Sequence, residues 1–189
     1  MGADDLLKKP PQNLKEAIDW ILWFWDYGGH GSGMGNYTKL ANALNTLSEF
    51  QDAKNQALGR IEPSCVINTL ANKLRDFVGH MSQGGTEFSG HGIIKKGNTY
   101  TSKYQDATWN GSESDTDMAR IFLCASAMAF WGLSFLYWRC KQTPGGWATD
   151  RFTDSQKGLQ NFMSNMGYEL AYLNKSTTGQ EIAKLLEDG

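Results

Sequence analysis

At 189 residues the chain can bury about 70% of its unfolded surface in one core without metal or disulfide staples, so one domain spanning residues 1–189 is expected. Eighteen basic residues against twenty acidic ones give a net charge of −2, and no run of like charges forms a tail, which argues against a nucleic-acid partner. Three cysteines, Cys65, Cys124 and Cys140, are odd in number and far apart, which excludes a zinc ribbon and a disulfide-rich mini-domain.

Pro10 and Pro11 stop any earlier helix, and Asn13 is placed to cap one in which Leu14, Ala17, Ile18, Ile21, Leu22 and Trp25 recur at steps of three and four. Trp20, Trp23, Phe24 and Tyr27 widen its apolar surface almost all round. The helix is therefore either central in a bundle or a surface that offers rings to a partner. The glycine-dense run from Gly28 to Gly35 predicts a loop. Leu40, Leu44, Leu47, Phe50 and Leu58 predict a second helix over residues 36–58, ended by Gly59. Pro63 opens a third, with Val66, Ile67, Leu70, Leu74, Phe77 and Val78 inward and Gly79 as its stop.

From His80 to Ser114 helical periodicity is lost among repeated glycines, and only Ile93-Ile94 and Asn98 to Thr101 look strand-like. A loop of that length inside a domain is often functional. Ser114 with Asp117 resembles a capping box for a long apolar helix reaching about Arg139. Its uncharged run from Ile121 to Trp138 nearly matches the ~30 Å hydrocarbon layer of a bilayer at about 1.5 Å per residue. Ser126, Gly132 and Ser134 dilute that run, which favours a buried core helix with no membrane span in this chain. Residues 142–154 read as a loop, 155–166 as a short helix and 178–187 as a last one. The expected fold is all-α: a compact bundle of about six helices around the long apolar helix, with long glycine-rich loops.

No spacing in the chain dictates a reaction. His30, His80 and His91 lie in or beside glycine-rich segments without metal-ligand spacing. The run Gly31 to Gly35 follows a helix and lacks the Lys-Ser/Thr ending of a phosphate loop. Acidic pairs sit only near the termini, and the cysteines occupy apolar helical contexts where a thiol is inert packing. Neither catalytic residue, cofactor nor metal site is expected. On one helix Cys124 and Cys140 would stand about 24 Å apart, so any disulfide must use Cys65. Asn36, Asn110 and Asn174 each open an Asn-x-Ser/Thr triplet that could accept a glycan.

Two stretches are more particular. The opening runs Lys9-Pro10-Pro11-Gln12-Asn13-Leu14-Lys15-Glu16-Ala17-Ile18-Asp19-Trp20-Ile21-Leu22. The middle holds Tyr100-Thr101-Ser102-Lys103-Tyr104, Asp106-Ala107-Thr108-Trp109, Ile121 to Cys124, and Gly132-Leu133 followed by Phe135 to Lys141. Gly146-Trp147 and Leu159 to Gly167 continue the pattern. Together they resemble the variant erythrocyte surface antigen family of Babesia. The resemblance implies a non-enzymatic parasite antigen on infected erythrocytes, diversified for immune evasion and adhering to host endothelium. Its partners would be a host receptor or antibody met through the loops, and a related antigen subunit. Larger members carry a cysteine-rich region, a coiled coil and a membrane anchor. This chain, with its three cysteines, is expected to be an N-terminal domain or a short member. The alternative is an intracellular, cytoplasmic helical adaptor that docks a partner through Trp20, Trp23 and Trp25.

Overall fold

The computed structural model describes residues 4–29, 34–57, 62–81, 87–89, 92–94, 102–104, 107, 115–142, 159–169, 173–174 and 176–187. These residues are predominantly helical. The helices are α1 (Asp4–Leu7), α2 (Leu14–Gly29), α3 (Met34–Thr46), α4 (Ser48–Gln56), α5 (Pro63–Met81), α6 (Asp115–Gln142), α7 (Leu159–Asn165) and α8 (Gly179–Glu187). One short antiparallel hairpin, β1 (Glu87–Ser89) and β2 (Gly92–Ile94), pairs Phe88 with Ile93. It falls where Ile93-Ile94 predicts strand, whereas residues 98–101 lie outside the described residues.

Helix α2 starts where its capping chemistry starts. Asn13 Oδ1 accepts from the Glu16 backbone N–H at 2.9 Å, and Glu16 Oε2 accepts from the Gln12 N–H at 2.9 Å. One orphan donor of the first turn is thereby satisfied, and the chain just before the cap is tied to it. The turn after α7 closes over the same end, where Lys15 N–H donates to the Met166 carbonyl at 3.0 Å. Gly167 makes that approach possible. Its φ is +93°, and a Cβ there would stand 2.5 Å from Asn13 Oδ1. Gly167→Ala therefore combines backbone strain with displacement of the cap. A loss of about 2–3 kcal/mol is expected in urea denaturation, whereas a loss below about 0.5 kcal/mol would contradict the coupling of α7 to α2.

The chain departs from its sequence reading at several helix ends. Gly28 and Gly29 remain in α2 and Met34 already begins α3, so only residues 30–33 of the expected glycine loop fall outside the described residues. The expected second helix breaks at Leu47, whose backbone turns extended (φ −75°, ψ 128°) while its side chain stays buried. Gly79 does not stop α5, because a later segment caps it: Asn174 N–H donates to Met81 O at 2.7 Å and Thr177 Oγ1 to His80 O at 3.1 Å. Most of residues 80–114, all of 143–154 and the first residues of the expected 155–166 helix lie outside the described residues.

The core forms where α2, α3 and α8 meet α6, with α5 packed on α2, α3 and α8. Helix α2 supplies its largest side chains. Trp20 is wholly buried, stacks on Phe24 at 4.8 Å and donates its indole N–H to the Leu7 carbonyl at 3.2 Å. Trp23 is buried as well, and Trp25 is half-buried with its Nε1 donating to Asn68 Oδ1 at 3.0 Å. The ring-rich surface that the adaptor reading needs is thus core, because α3, α5 and α6 cover α2 on several sides.

Helix α6 is the main correction. It was expected to be wrapped by the other helices, yet only 28% of its apolar eighteen-residue window is buried. By length and composition it is the one described helix that could cross a membrane. Ala125, Ala129, Gly132, Leu136 and Cys140 form its inward stripe. Gly132 lets Leu14 of α2 come close: a Cβ there would lie 2.8 Å from Leu14 Cδ1. The large rings point the other way.

Candidate recognition surface

Phe130, Trp131, Phe135 and Trp138 are 64%, 63%, 62% and 65% exposed. At about 100° per residue they occupy the arc of α6 opposite the inward stripe. Cys124 and Ala127 extend the exposed arc toward the N-terminus. Four outward rings on neighbouring turns make a contiguous apolar patch of the kind that marks an interaction site. Phe130 meets Trp131 edge-on at 5.5 Å and Tyr137 meets Trp138 likewise at 5.5 Å, so the rings brace one another.

Beside this patch α5, α6 and α8 enclose a groove of about 890 Å³. Its floor is Leu70, Leu74 and Leu133, and Leu185 and Leu186 form the α8 wall. Phe130 and Trp138 belong both to the groove and to the outward patch. Lys73, Asp76, Tyr137 and Glu187 add polar groups to its lining. Glu187 accepts from Tyr137 Oη at 3.3 Å and pairs with Lys141 at 3.3 Å, and Lys141 Nζ stands 5.3 Å from the Tyr137 ring. Hydrogen bonds that Lys141 donates to Tyr137 and to Glu187 hold its ammonium above its ordinary value. Thr178 and Glu181 fix the α8 wall through a reciprocal capping box: Thr178 N–H donates to Glu181 Oε2 at 2.8 Å and Glu181 N–H to Thr178 Oγ1 at 3.2 Å. The Thr178 N–H, and then the Thr178 hydroxyl donating to the same Oε2 at 3.0 Å, lower the Glu181 carboxyl below its usual range.

The two stretches that carry the family resemblance meet on the other side of α2. Lys103 pairs with Glu16 and stands 5.1 Å from the ring of Tyr104, which is fully buried near Glu16 and Asp19. Burial, and then the charges of Glu16 and Asp19, push the Tyr104 hydroxyl well above its ordinary value. Lys15 and Asp19 form a buried pair at 2.6 Å.

The residues weighed for chemistry stay apart. His80 is exposed on α5, its Nδ1 3.0 Å from the Asp76 carbonyl, and His30 and His91 lie outside the described residues. Among the described residues no three His, Cys, Asp or Glu side chains gather as metal ligands. All three thiols are free: Cys65 and Cys124 exposed, Cys140 buried. Asn36 falls in the first turn of α3, and Asn110 lies outside the described residues. Asn174 accepts through Oδ1 from Ser176 N–H at 3.1 Å and from its hydroxyl at 2.7 Å.

Burial pushes the Cys140 thiol up to about 12. The unfolded thiol ionises near 8.5, so stability is full below that pH and falls as pH rises above it; Tyr104 adds the same sign above about 10. A thiol reagent is expected to titrate Cys65 and Cys124 in the native protein and Cys140 only after unfolding. Urea midpoints are expected to fall from about pH 9 upward. Rapid native labelling of Cys140, or a midpoint flat to pH 11, would contradict its burial.

Compared with protein-family models, curated sequences and solved structures, the chain matches none of them.

Proposed function

We propose that this chain is a non-enzymatic recognition domain of the variant surface antigen type, displayed on infected erythrocytes and serving immune evasion and adhesion. The observation that carries the recognition half is the outward aromatic patch of α6, because a helix with Phe130, Trp131, Phe135 and Trp138 in water is costly unless a partner covers it. The antigen half rests on the sequence likeness at residues 9–22 and 100–141. Within this reading the helices are a scaffold, the segments 28–35 and 80–114 vary in contact with host receptor or antibody, and a related antigen subunit is a further partner.

The adaptor reading loses support because Trp20 and Trp23 are buried. Labelling unpermeabilised infected cells with antibody raised against this domain tests the reading: surface staining is expected. Staining that requires permeabilisation would overturn it and return the chain to a cytoplasmic role.

A further inference from the structure

We infer that the outward face of α6 pairs with α6 of a second copy of this chain, the two helices running antiparallel. On that face Cys124, Ala127, Trp131, Ser134, Trp138 and Lys141 recur at alternating steps of three and four, the seam of a two-helix coiled coil. Large and small side chains alternate along it. Trp131 and Trp138 occupy one heptad position, and Ala127 and Ser134 the other. In an antiparallel pair those two positions face each other, so each Trp131 drops into the gap left by Ala127 of the other copy. In a parallel pair the indoles would collide in one layer while the small residues left voids.

Charge selects the same orientation. The first turn of α6 carries Asp115 and Asp117, and its last turn carries Arg139 and Lys141. Antiparallel pairing sets the acidic end of each helix beside the basic end of the other and opposes the helix dipoles. Parallel pairing stacks like charges at both ends. The same alignment puts Arg120, exposed one turn into the helix, over Trp138 of the other copy, a cation–π arrangement.

The area suffices. Four rings, each about 63% exposed with ~150–250 Å² to bury, offer about 500 Å². Exposed Cys124, Ala127 and Arg120 beside the rings add to that area, toward the ~800 Å² per partner of a standard interface. A bilayer is the poorer occupant. Lys73, Asp76 and Glu187 line the groove beside the same rings, and lipid covering α6 would draw them toward hydrocarbon.

Sedimentation velocity on the purified wild-type chain in detergent-free buffer tests the pairing, with Trp131→Glu and Ala127→Trp as variants. Both positions are exposed, so unchanged circular dichroism melts certify folding. The wild type is expected to be dimeric at micromolar concentration, and either variant to raise the dissociation constant at least tenfold. A wild type that stays monomeric, or association that survives both variants, would overturn the inference. In a Cys65→Ser background, copper-catalysed oxidation reports orientation. The two Cys124 thiols of the antiparallel pair stand about 15 Å apart along the axis and should not cross-link. Rapid Cys124-linked dimer would overturn the antiparallel arrangement. Flotation with neutral phosphatidylcholine vesicles and a blue-shifted tryptophan emission would overturn it in favour of lipid. The inference is independent of surface display, since a monomer at the erythrocyte surface would sink the pairing and leave the antigen reading intact.

Discussion

Trp20→Ala is expected to destabilise the chain by about 3–5 kcal/mol, the usual cost of removing a buried indole. Much of the ~5–15 kcal/mol that holds a domain together would go with it. Two losses add. The cavity opens between Phe24 and the neighbouring core, and the Leu7 carbonyl gives up the indole donor that ties α1 to α2. Trp131→Ala is the matching control, because that ring is 63% exposed and touches the rest of the fold little. Its expected cost at monomeric concentrations is below about 1 kcal/mol. Equal losses for the two variants in urea denaturation would mean that the inner and outer faces of the fold are assigned the wrong way round.

The second large effect concerns the pair inside the opening motif. Asp19 is 2% exposed and Lys15 8%, so removing Asp19 takes the 2.6 Å ion pair away from a buried ammonium. Asp19→Ala is expected to cost about 3–5 kcal/mol. Replacing both residues with apolar ones of similar size, Lys15→Met with Asp19→Leu, should recover most of that loss, since breaking a buried pair costs more than replacing it. A double variant as unstable as the single one would show that other contacts of these two side chains carry the energy. Tyr104 offers an independent readout. The Asp19 charge helps to hold its hydroxyl above the ordinary value, so phenolate formation should begin at lower pH in Asp19→Ala.

Much of the fold can be read in the residues themselves. The Asn13 cap, the three-and-four spacing from Leu14 to Trp25, Pro63 at the head of α5 and the apolar run of α6 each name a helix, and each helix is present. What local pattern leaves open is which side faces in. On α2 nearly every side is apolar, so periodicity cannot separate core from contact surface, and only the packing of α3, α5 and α6 around it decides for core. On α6 the ambiguity resolves the opposite way. Size is a poor guide there, because close helix packing selects Ala125, Ala129 and Gly132 for the inside and leaves the bulky rings outside.

The ends that sequence misplaced depend on distant partners. Gly79 has the composition of a helix stop, yet the carbonyls of His80 and Met81 are satisfied by Thr177 and Asn174, nearly a hundred residues on. Leu47 breaks a helix whose local propensities are sound, and its side chain stays buried with those of Leu40 and Leu44 before that break. One signal was available and local: Thr178-x-x-Glu181 has the reciprocal cap spelled out in its spacing. The groove could not be foreseen, since it draws on α5, α6 and α8, which lie far apart in sequence.

The two-sidedness of α6 governs both the recognition reading and the pairing. Thiol labelling measures it directly. In a Cys65→Ser, Cys124→Ser background, single cysteines replace Trp131, Phe135, Ala129 or Leu136 in turn. Each variant is reacted with a membrane-impermeant reagent at concentrations too low for association and without detergent. Cysteines at 131 and 135 should react as fast as a free thiol, and those at 129 and 136 at least a hundredfold more slowly. Uniformly slow reaction at all four positions, or protein that stays dispersed only in detergent, would contradict a half-buried helix whose aromatic face awaits a protein partner.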